Sequence, residues 1–518
     1  MAEVKFPLGI QSFESIRYGG YFYVDKTSFV YELATGGKYF FLSRPRRFGK
    51  SLFTSTLEAY FEGKKDLFEG LSITQQEKDW ISYPILHLDL NTEKYSSLEA
   101  LDNKLHSTMR FWEQRYGVLV NDRQASLGIR FEDAIRNIAE KLGRPVVLLV
   151  DEYDKPLLQA LGDKTLEDEF RATLKGFYGA VKSMDKYIRF AFFTGVTKFS
   201  KVSIFSDLNN LTDITMLRKY NEICGITEEE LHDTMDIHVG RLAAANGMTK
   251  EQCYDRLKQD YDGYHFTEDS PGVYNPYSLL NTFSHLQFKD YWYETGTPTY
   301  LVELIQRYGY DLNQVTEEHV TSDVLNSIND TSMNPIPVLY QSGYLTIVGY
   351  NSEFELYKLG FPNREVEKGF TQFLLPYYTS LNENNSVFTI SLFVRDVRQG
   401  CPEQFMQRLQ TLFADGDYQI AGKAELYFHN ALYVLFKMMG FYVEVERVTS
   451  NGRMDMVVKT NNYIYLFEFK IDRSAKEALL QIEEKGYEDP FVMDSRKLFK
   501  IGVNFSSQTR GVESWLIV

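Results

Sequence analysis

Short, almost wholly apolar runs recur along the first 225 residues, each followed by a segment in which apolar positions return every three or four residues. Lys38-Tyr-Phe-Phe-Leu-Ser43, Pro84-Ile-Leu-His-Leu-Asp-Leu90, Pro145-Val-Val-Leu-Leu-Val150 and Ile188-Arg-Phe-Ala-Phe-Phe193 are strand-sized and barely alternate with polar residues. That is the pattern of strands covered on both faces. Helical periods between them, such as Leu52, Leu57 and Phe61, supply the covers. The stretch therefore predicts a parallel α/β sheet.

From Thr227 to about residue 380 the pattern turns helical, beginning with Thr227-Glu-Glu-Glu-Leu231, a Thr cap with Glu three residues on. Leu339–Thr346 and Phe354–Leu359 predict a hairpin after the helices, fitting the wing of a winged helix. The polar run Leu381-Asn-Glu-Asn-Asn-Ser386 predicts a linker, followed by a short helical stretch and a strand-bearing α/β module from about Gly422. The expected partition is thus 1–225, 226–385 and 386–518.

Composition narrows the function classes. The 518 residues are 44% apolar and 25% charged, enough for several packed cores. Cys224, Cys253 and Cys401 lie far apart, which excludes a dense disulfide framework and a CxxC zinc ribbon. The eight histidines form no HExxH pair. The N-terminus lacks the basic start and apolar stretch of a signal peptide, and no run reaches the ~18 apolar residues that span a bilayer. The expectation is a cytoplasmic protein without a membrane partner. The net charge of −15 argues against nucleic acid until its distribution is seen. From residue 421 onward 13 Lys and Arg face 13 Asp and Glu, while the rest carries 43 against 58. A neutral C-terminal module can still present a basic face to phosphates.

Two constellations carry chemistry. The first follows the Lys38–Ser43 strand as Arg44-Pro-Arg-Arg-Phe-Gly-Lys-Ser51. Gly49, Lys50 and Ser51 supply the end of a P-loop at a helix N-terminus, with Lys50 for the phosphates and Ser51 for Mg²⁺. Arg44 stands where the first glycine of that motif is usual. Asp151 and Glu152 end the Val146–Val150 strand, where Asp151 can hold the Mg²⁺ shell and Glu152 can orient and deprotonate a water. Thr194 ends a further strand, placed to sense a γ-phosphate. Arg44, Arg46 and Arg47 read equally well as phosphate clamps, as arginine fingers acting in trans within an oligomer, or as a salt-bridge cluster.

The second lies in Gly452-Arg-Met-Asp-Met-Val-Val458 and Tyr463-Ile-Tyr-Leu-Phe-Glu-Phe-Lys470. Strand alternation puts Glu468 and Lys470 on one face, and a turn at Lys459–Asn462 brings Asp455 alongside Glu468. Two carboxylates and the Phe469 carbonyl suit Mg²⁺ or Mn²⁺, while Lys470 can position or deprotonate a water for attack on a phosphodiester. Glu425, on a helix upstream, can add a metal ligand. Gln481 and Lys485 fall one helical turn apart downstream and can contact phosphate. The competing reading is an ordinary cross-strand ion pair, but a charged pair inside an apolar strand is expensive without a role.

Phe6-Pro-Leu-Gly-Ile10, Tyr23-Val-Asp-Lys-Thr27, Arg44–Ser51, Leu149-Val-Asp-Glu-Tyr-Asp154, Thr194–Phe199, Tyr261-Asp-Gly-Tyr264 with Phe266, Tyr274-Asn-Pro-Tyr-Ser278 and Thr295–Pro298 together resemble the AAA-ATPase-like family. Gly452–Asp455 and Glu468–Lys470 resemble the PD-(D/E)XK nuclease superfamily module that accompanies it. The resemblance implies a P-loop ATPase-like sheet domain, a mainly helical middle and a restriction-endonuclease-like α/β domain. It implies ATP and Mg²⁺ contacts at Lys50, Ser51, Asp151 and Glu152, and a nuclease core of Asp455, Glu468 and Lys470 with Glu425 as the helical acid. Arg44 in place of the first glycine is typical of that family. The expected function is an ATP-binding protein coupled to a Mg²⁺-dependent nuclease acting on nucleic acid, an architecture suited to defence against foreign DNA. The alternative is a signalling or scaffold ATPase whose nuclease-like module only binds nucleic acid or protein.

Overall fold

The computed structural model describes residues 4–118, 126–198, 210–294, 301–302, 304–305, 309–316, 318–326, 334–379, 383–414, 424–450, 453–509 and 511–518. The chain forms two compact units, Met1–Thr295 with Glu318–Glu365, and Gly296–Glu317 with Val366–Val518. Among the described residues no helix is long and apolar enough to cross a membrane.

The first unit is built on five parallel strands, β1 (Tyr39–Ser43), β2 (Ile85–Asp89), β3 (Val146–Asp151), β4 (Ile188–Gly195) and β5 (Thr212–Asp213), in the order β2-β3-β4-β1-β5. Parallel strands need crossovers. Here they are helices: Lys50–Phe61 after β1, Leu98–Tyr116 and Leu127–Leu142 after β2, and Lys164–Ser183 after β3. Every residue of β1 and β3 is buried, as the unbroken apolar runs predict. The order places β4 between β1 and β3, so Ser43, Gly195 and Asp151 finish three adjacent strands along one sheet edge.

The same unit continues through the helices Glu228–Ala245, Lys250–Tyr261 and Pro276–His285. Thr227 and Glu230 close the expected capping box. A three-stranded antiparallel sheet follows, β6 (His319–Val320), β7 (Thr346–Asn351) and β8 (Leu356–Gly360), ordered β6-β8-β7. The hairpin exists, but its first arm lies later than the sequence predicts. Leu339-Tyr-Gln341 belongs to the helix Ile336–Gln341, which a proline in its first turn starts and Gly343 at φ 87° follows.

The second unit ends in a mixed sheet of β9 (Glu444–Ser450), β10 (Arg453–Lys459), β11 (Tyr463–Ile471), β12 (Lys497–Ser506) and β13 (Gly511–Ile517), ordered β13-β12-β11-β10-β9. Strands β9 to β11 form an antiparallel meander, β11 and β12 pair in parallel through the Ala475–Glu484 helix, and β13 returns antiparallel. The expected linker is instead partly helix: Glu383 starts the Glu383–Arg398 helix, while Leu381 and Asn382 lie outside the described residues.

Candidate functional site

At the end of β1 the chain turns through Arg44–Gly49 into the Lys50–Phe61 helix. Gly49 caps that helix at φ 91°, where a side chain would cost roughly 1–2 kcal/mol. The loop is braced by its own side chains. Phe48 is buried edge-on against Tyr264 and Phe266, at centroid distances of 4.7 and 5.7 Å. The Trp292 indole N–H donates to the Arg46 carbonyl at 3.1 Å.

Arg44 is a correction. It is 1% exposed, donates to the Thr215 and Tyr220 carbonyls at 2.9 Å each, and lies 3.9 Å from the Phe266 ring centroid. Burial pulls its guanidinium down to about 10. Arg44 is therefore neither clamp nor finger; it is a strut behind the loop.

Arg46, Arg47, Gly49, Lys50, Ser51 and Glu152 line a cavity of about 310 Å³ that Pro7, Ile10, Pro276 and Tyr277 also border. Neither Arg46 nor Arg47 makes an ion pair among the described residues, and Arg47 lies 4.9 Å from the Tyr277 ring centroid. Lys50 folds back on the loop, donating to the Arg44 and Pro45 carbonyls at 3.0 and 3.2 Å, with Glu152 Oε1 3.7 Å away. Asp151, at the end of β3, is buried, and its Oδ1 accepts from Glu152 N at 3.1 Å. Burial and the neighbouring Glu152 charge push its carboxyl up to about 6, against the opposing pull of Ser51 and Lys50. A buried carboxylate under such pressure gains from a hard cation, so Ser51 and Asp151 fit Mg²⁺.

Thr194 sits beside Leu42 of β1, but its side chain is fully buried and does not line the cavity. Its Oγ1 has no partner among the described residues. Its carbonyl accepts from Tyr153 N at 3.0 Å, tying the acidic turn to β4. Asp154 strengthens that tie and was not singled out by sequence reasoning. Its Oδ2 accepts from Val196 N at 3.0 Å and from Thr197 N and Oγ1 at 2.6 Å each. The available signal was its position three residues beyond Asp151.

The second site forms on β10 and β11. Their turn spans residues 460–462, and Asp455 pairs in register with Glu468. The side chains of Asp455 and Glu425 lie outside the described residues. Glu468 is 0% and Lys470 6% exposed in a strand whose interior is otherwise apolar. Lys470 Nζ donates to Glu468 Oε1 at 2.5 Å and to Gln481 Oε1 at 2.6 Å. Glu468 Oε2 is buried without a partner among the described residues. An unpartnered carboxylate oxygen opposite a second acidic position is a donor set that fits Mg²⁺ or Mn²⁺. Gln481 thus joins the site through Lys470, whereas Lys485 is exposed just past the end of the Ala475–Glu484 helix.

Gly502 makes this seating possible. It pairs in register with Glu468, and a Cβ there would lie 2.3 Å from the Ala475 carbonyl oxygen and 2.7 Å from Leu479 N. The missing side chain lets the helix bearing Gln481 lie against β12.

Residues 7–205 match the family described as predicted AAA-ATPase, and residues 423–515 match the PD-(D/E)XK nuclease superfamily. A relative described as an uncharacterized protein in the vnfD 5′ region of Azotobacter chroococcum mcd 1 is 35% identical over 530 residues, covering 100% of this chain and 99% of its own length. The solved Aeropyrum pernix ORC2 protein, in ADPNP and ADP complexes, aligns with 64% of this chain and 87% of its own at 11% identity and a TM-score of 0.24.

Proposed function

We infer function from one premise: the chain belongs to the predicted AAA-ATPase family that carries a C-terminal PD-(D/E)XK nuclease superfamily domain. The reading is a nucleotide-gated, metal-dependent phosphodiesterase, with ATP bound in 1–225, the helical middle in 226–385 and cleavage in 386–518. A nuclease restrained by a nucleotide suits defence against foreign nucleic acid.

The observation that carries this reading is the buried Lys470–Glu468 pair, with Glu468 Oε2 left open opposite Asp455. A pair kept only for stability gives little, since replacing a buried ion pair by apolar residues is often neutral or stabilising. Mg²⁺ or Mn²⁺ held by Asp455 and Glu468 would supply Lewis-acid polarisation of the phosphoryl group. Lys470 sets an ammonium charge beside Glu468, where a phosphodiester oxygen gathers negative charge, and Gln481 fixes its direction. At the other site Lys50, Arg46 and Arg47 supply positive charge for the nucleotide phosphates, and Glu152 is the group that orients water.

The test is cleavage of plasmid and single-stranded substrates with Mg²⁺ or Mn²⁺, with and without ATP. Wild type cuts, and Lys470→Ala loses at least about a hundredfold in rate while remaining folded by circular dichroism. Equal cutting by both proteins overturns the site. No cutting under any condition favours the signalling or scaffold reading, in which the C-terminal module only binds.

A further inference from the structure

Two separate contacts leave the phosphate loop and reach the same short segment. Trp292 is 6% exposed, and besides donating its indole N–H to the Arg46 carbonyl it donates its backbone N–H to Glu365 Oε1 at 2.7 Å. The other oxygen of Glu365 accepts from Ser278 Oγ at 2.7 Å, and the residue is 2% exposed. The second contact runs through Phe48 and Tyr264. Gly263, next to Tyr264, has φ 95°, and a Cβ there would lie 2.1 Å from the Pro362 carbonyl oxygen. The adjoining Asp262 carbonyl accepts from Asn363 Nδ2 at 2.8 Å.

Both contacts converge on residues 362–365, at the head of the Arg364–Tyr378 helix. Here the chain leaves the first unit, which ends at Glu365, and enters the second at Val366. We propose that Trp292 and Glu365 are positioning residues for the phosphate loop, and that they relay its occupancy to the head of this helix. The proposal rests on the reading of Arg44–Ser51 as a nucleotide site.

An anion in the loop draws backbone N–H groups toward itself, so the peptide planes around Arg46 and Arg47 must settle in one arrangement. The Arg46 carbonyl belongs to those planes. Trp292 follows it or leaves a buried indole N–H unpaired. Because the backbone N–H of Trp292 is held by Glu365, a shift of the tryptophan is felt at the first turn of the helix. Glu365 has no counter-charge within ion-pair distance among the described residues, so its burial is explained by the two hydrogen bonds it accepts.

The test uses the full chain with a non-hydrolysable ATP analogue and Mg²⁺, read by amide hydrogen exchange across residues 363–370 and by analogue affinity. In wild type the analogue slows exchange there by at least about fivefold. At saturating analogue Trp292→Phe, which keeps the ring but not the donor, loses that protection. Glu365→Ala does the same, and Glu365→Gln restores it because its amide oxygen still accepts from Trp292 N. Unchanged exchange in wild type overturns the relay, and so does wild-type protection in Trp292→Phe. If wild type and Lys50→Ala alike fail to bind the analogue, the nucleotide reading falls and the relay falls with it. Binding by wild type but not by Lys50→Ala keeps that reading and leaves the exchange data to decide the relay.

Discussion

Burial holds the Glu365 carboxyl at about 8, from an ordinary 4.5, with Asp290 and Asp260 adding like charge and Ser278 and the Trp292 amide pulling the other way. The folded state therefore binds a proton that the unfolded chain has lost between pH 4.5 and 8. Stability falls as pH rises through that window and levels off above it, by an amount on the order of a few kcal/mol. Glu365→Gln removes this slope. Urea midpoints from pH 5 to 8.5, read by tryptophan emission in a Trp515→Phe background, check it, because the other three tryptophans, Trp80, Trp112 and Trp292, lie in the first unit. Equal slopes in both proteins would show that Glu365 titrates normally. Residues differ in how much of this the chain betrays. Glu468 and Lys470 stand out because they interrupt an apolar strand. Arg44 does not, since the carbonyls that fix its far end, at Thr215 and Tyr220, lie more than 170 positions away. Glu365 is likewise silent in sequence: one acidic residue near a helix start looks like an ordinary N-terminal charge.

Strands were legible because two-sided burial writes itself as an unbroken apolar run, and β1 to β4 begin within one residue of those runs. Strand β5, with two residues, leaves no such trace. The hairpin arm and the linker were misplaced where helical propensity, proline in a first turn and a polar helix start compete with turn chemistry. The contact between β12 and the Ala475–Glu484 helix depends on a residue that no periodicity would flag. Gly502→Ala forces the helix outward, because the obstructing atoms are backbone rather than flexible side chains. The expected cost is about 1–3 kcal/mol. It comes with a loss of cleavage as Gln481 withdraws from Lys470. Chemical denaturation and the cleavage assay on the same preparation check it. Unchanged values in both would mean that the helix adjusts without disturbing the site.

At the scale of the whole molecule, charge distribution decides how a chain of net charge −15 could hold nucleic acid. The acidic excess lies before residue 421, and the remainder is balanced. On the nuclease reading, Asp455 and Glu468 would put negative charge where a phosphate comes, so approach should require a divalent cation as well as local Lys and Arg. Ca²⁺ can serve as a cation that supports binding in anisotropy titrations with a labelled duplex. At constant ionic strength, affinity should rise at least about tenfold when Ca²⁺ replaces part of the monovalent salt, the response expected when carboxylates at two paired strand positions are neutralised. In Ca²⁺ the logarithm of affinity should fall with the logarithm of salt at a slope of roughly −2 to −5, each neutralised phosphate contributing about −0.9. Glu468→Gln should bind better without the cation and gain less from it, because the charge that opposes phosphate has been removed. Binding that ignores both salt and divalent cation would remove nucleic acid as the partner of this module. A cation response that persists undiminished in Glu468→Gln would place the metal elsewhere than β10 and β11.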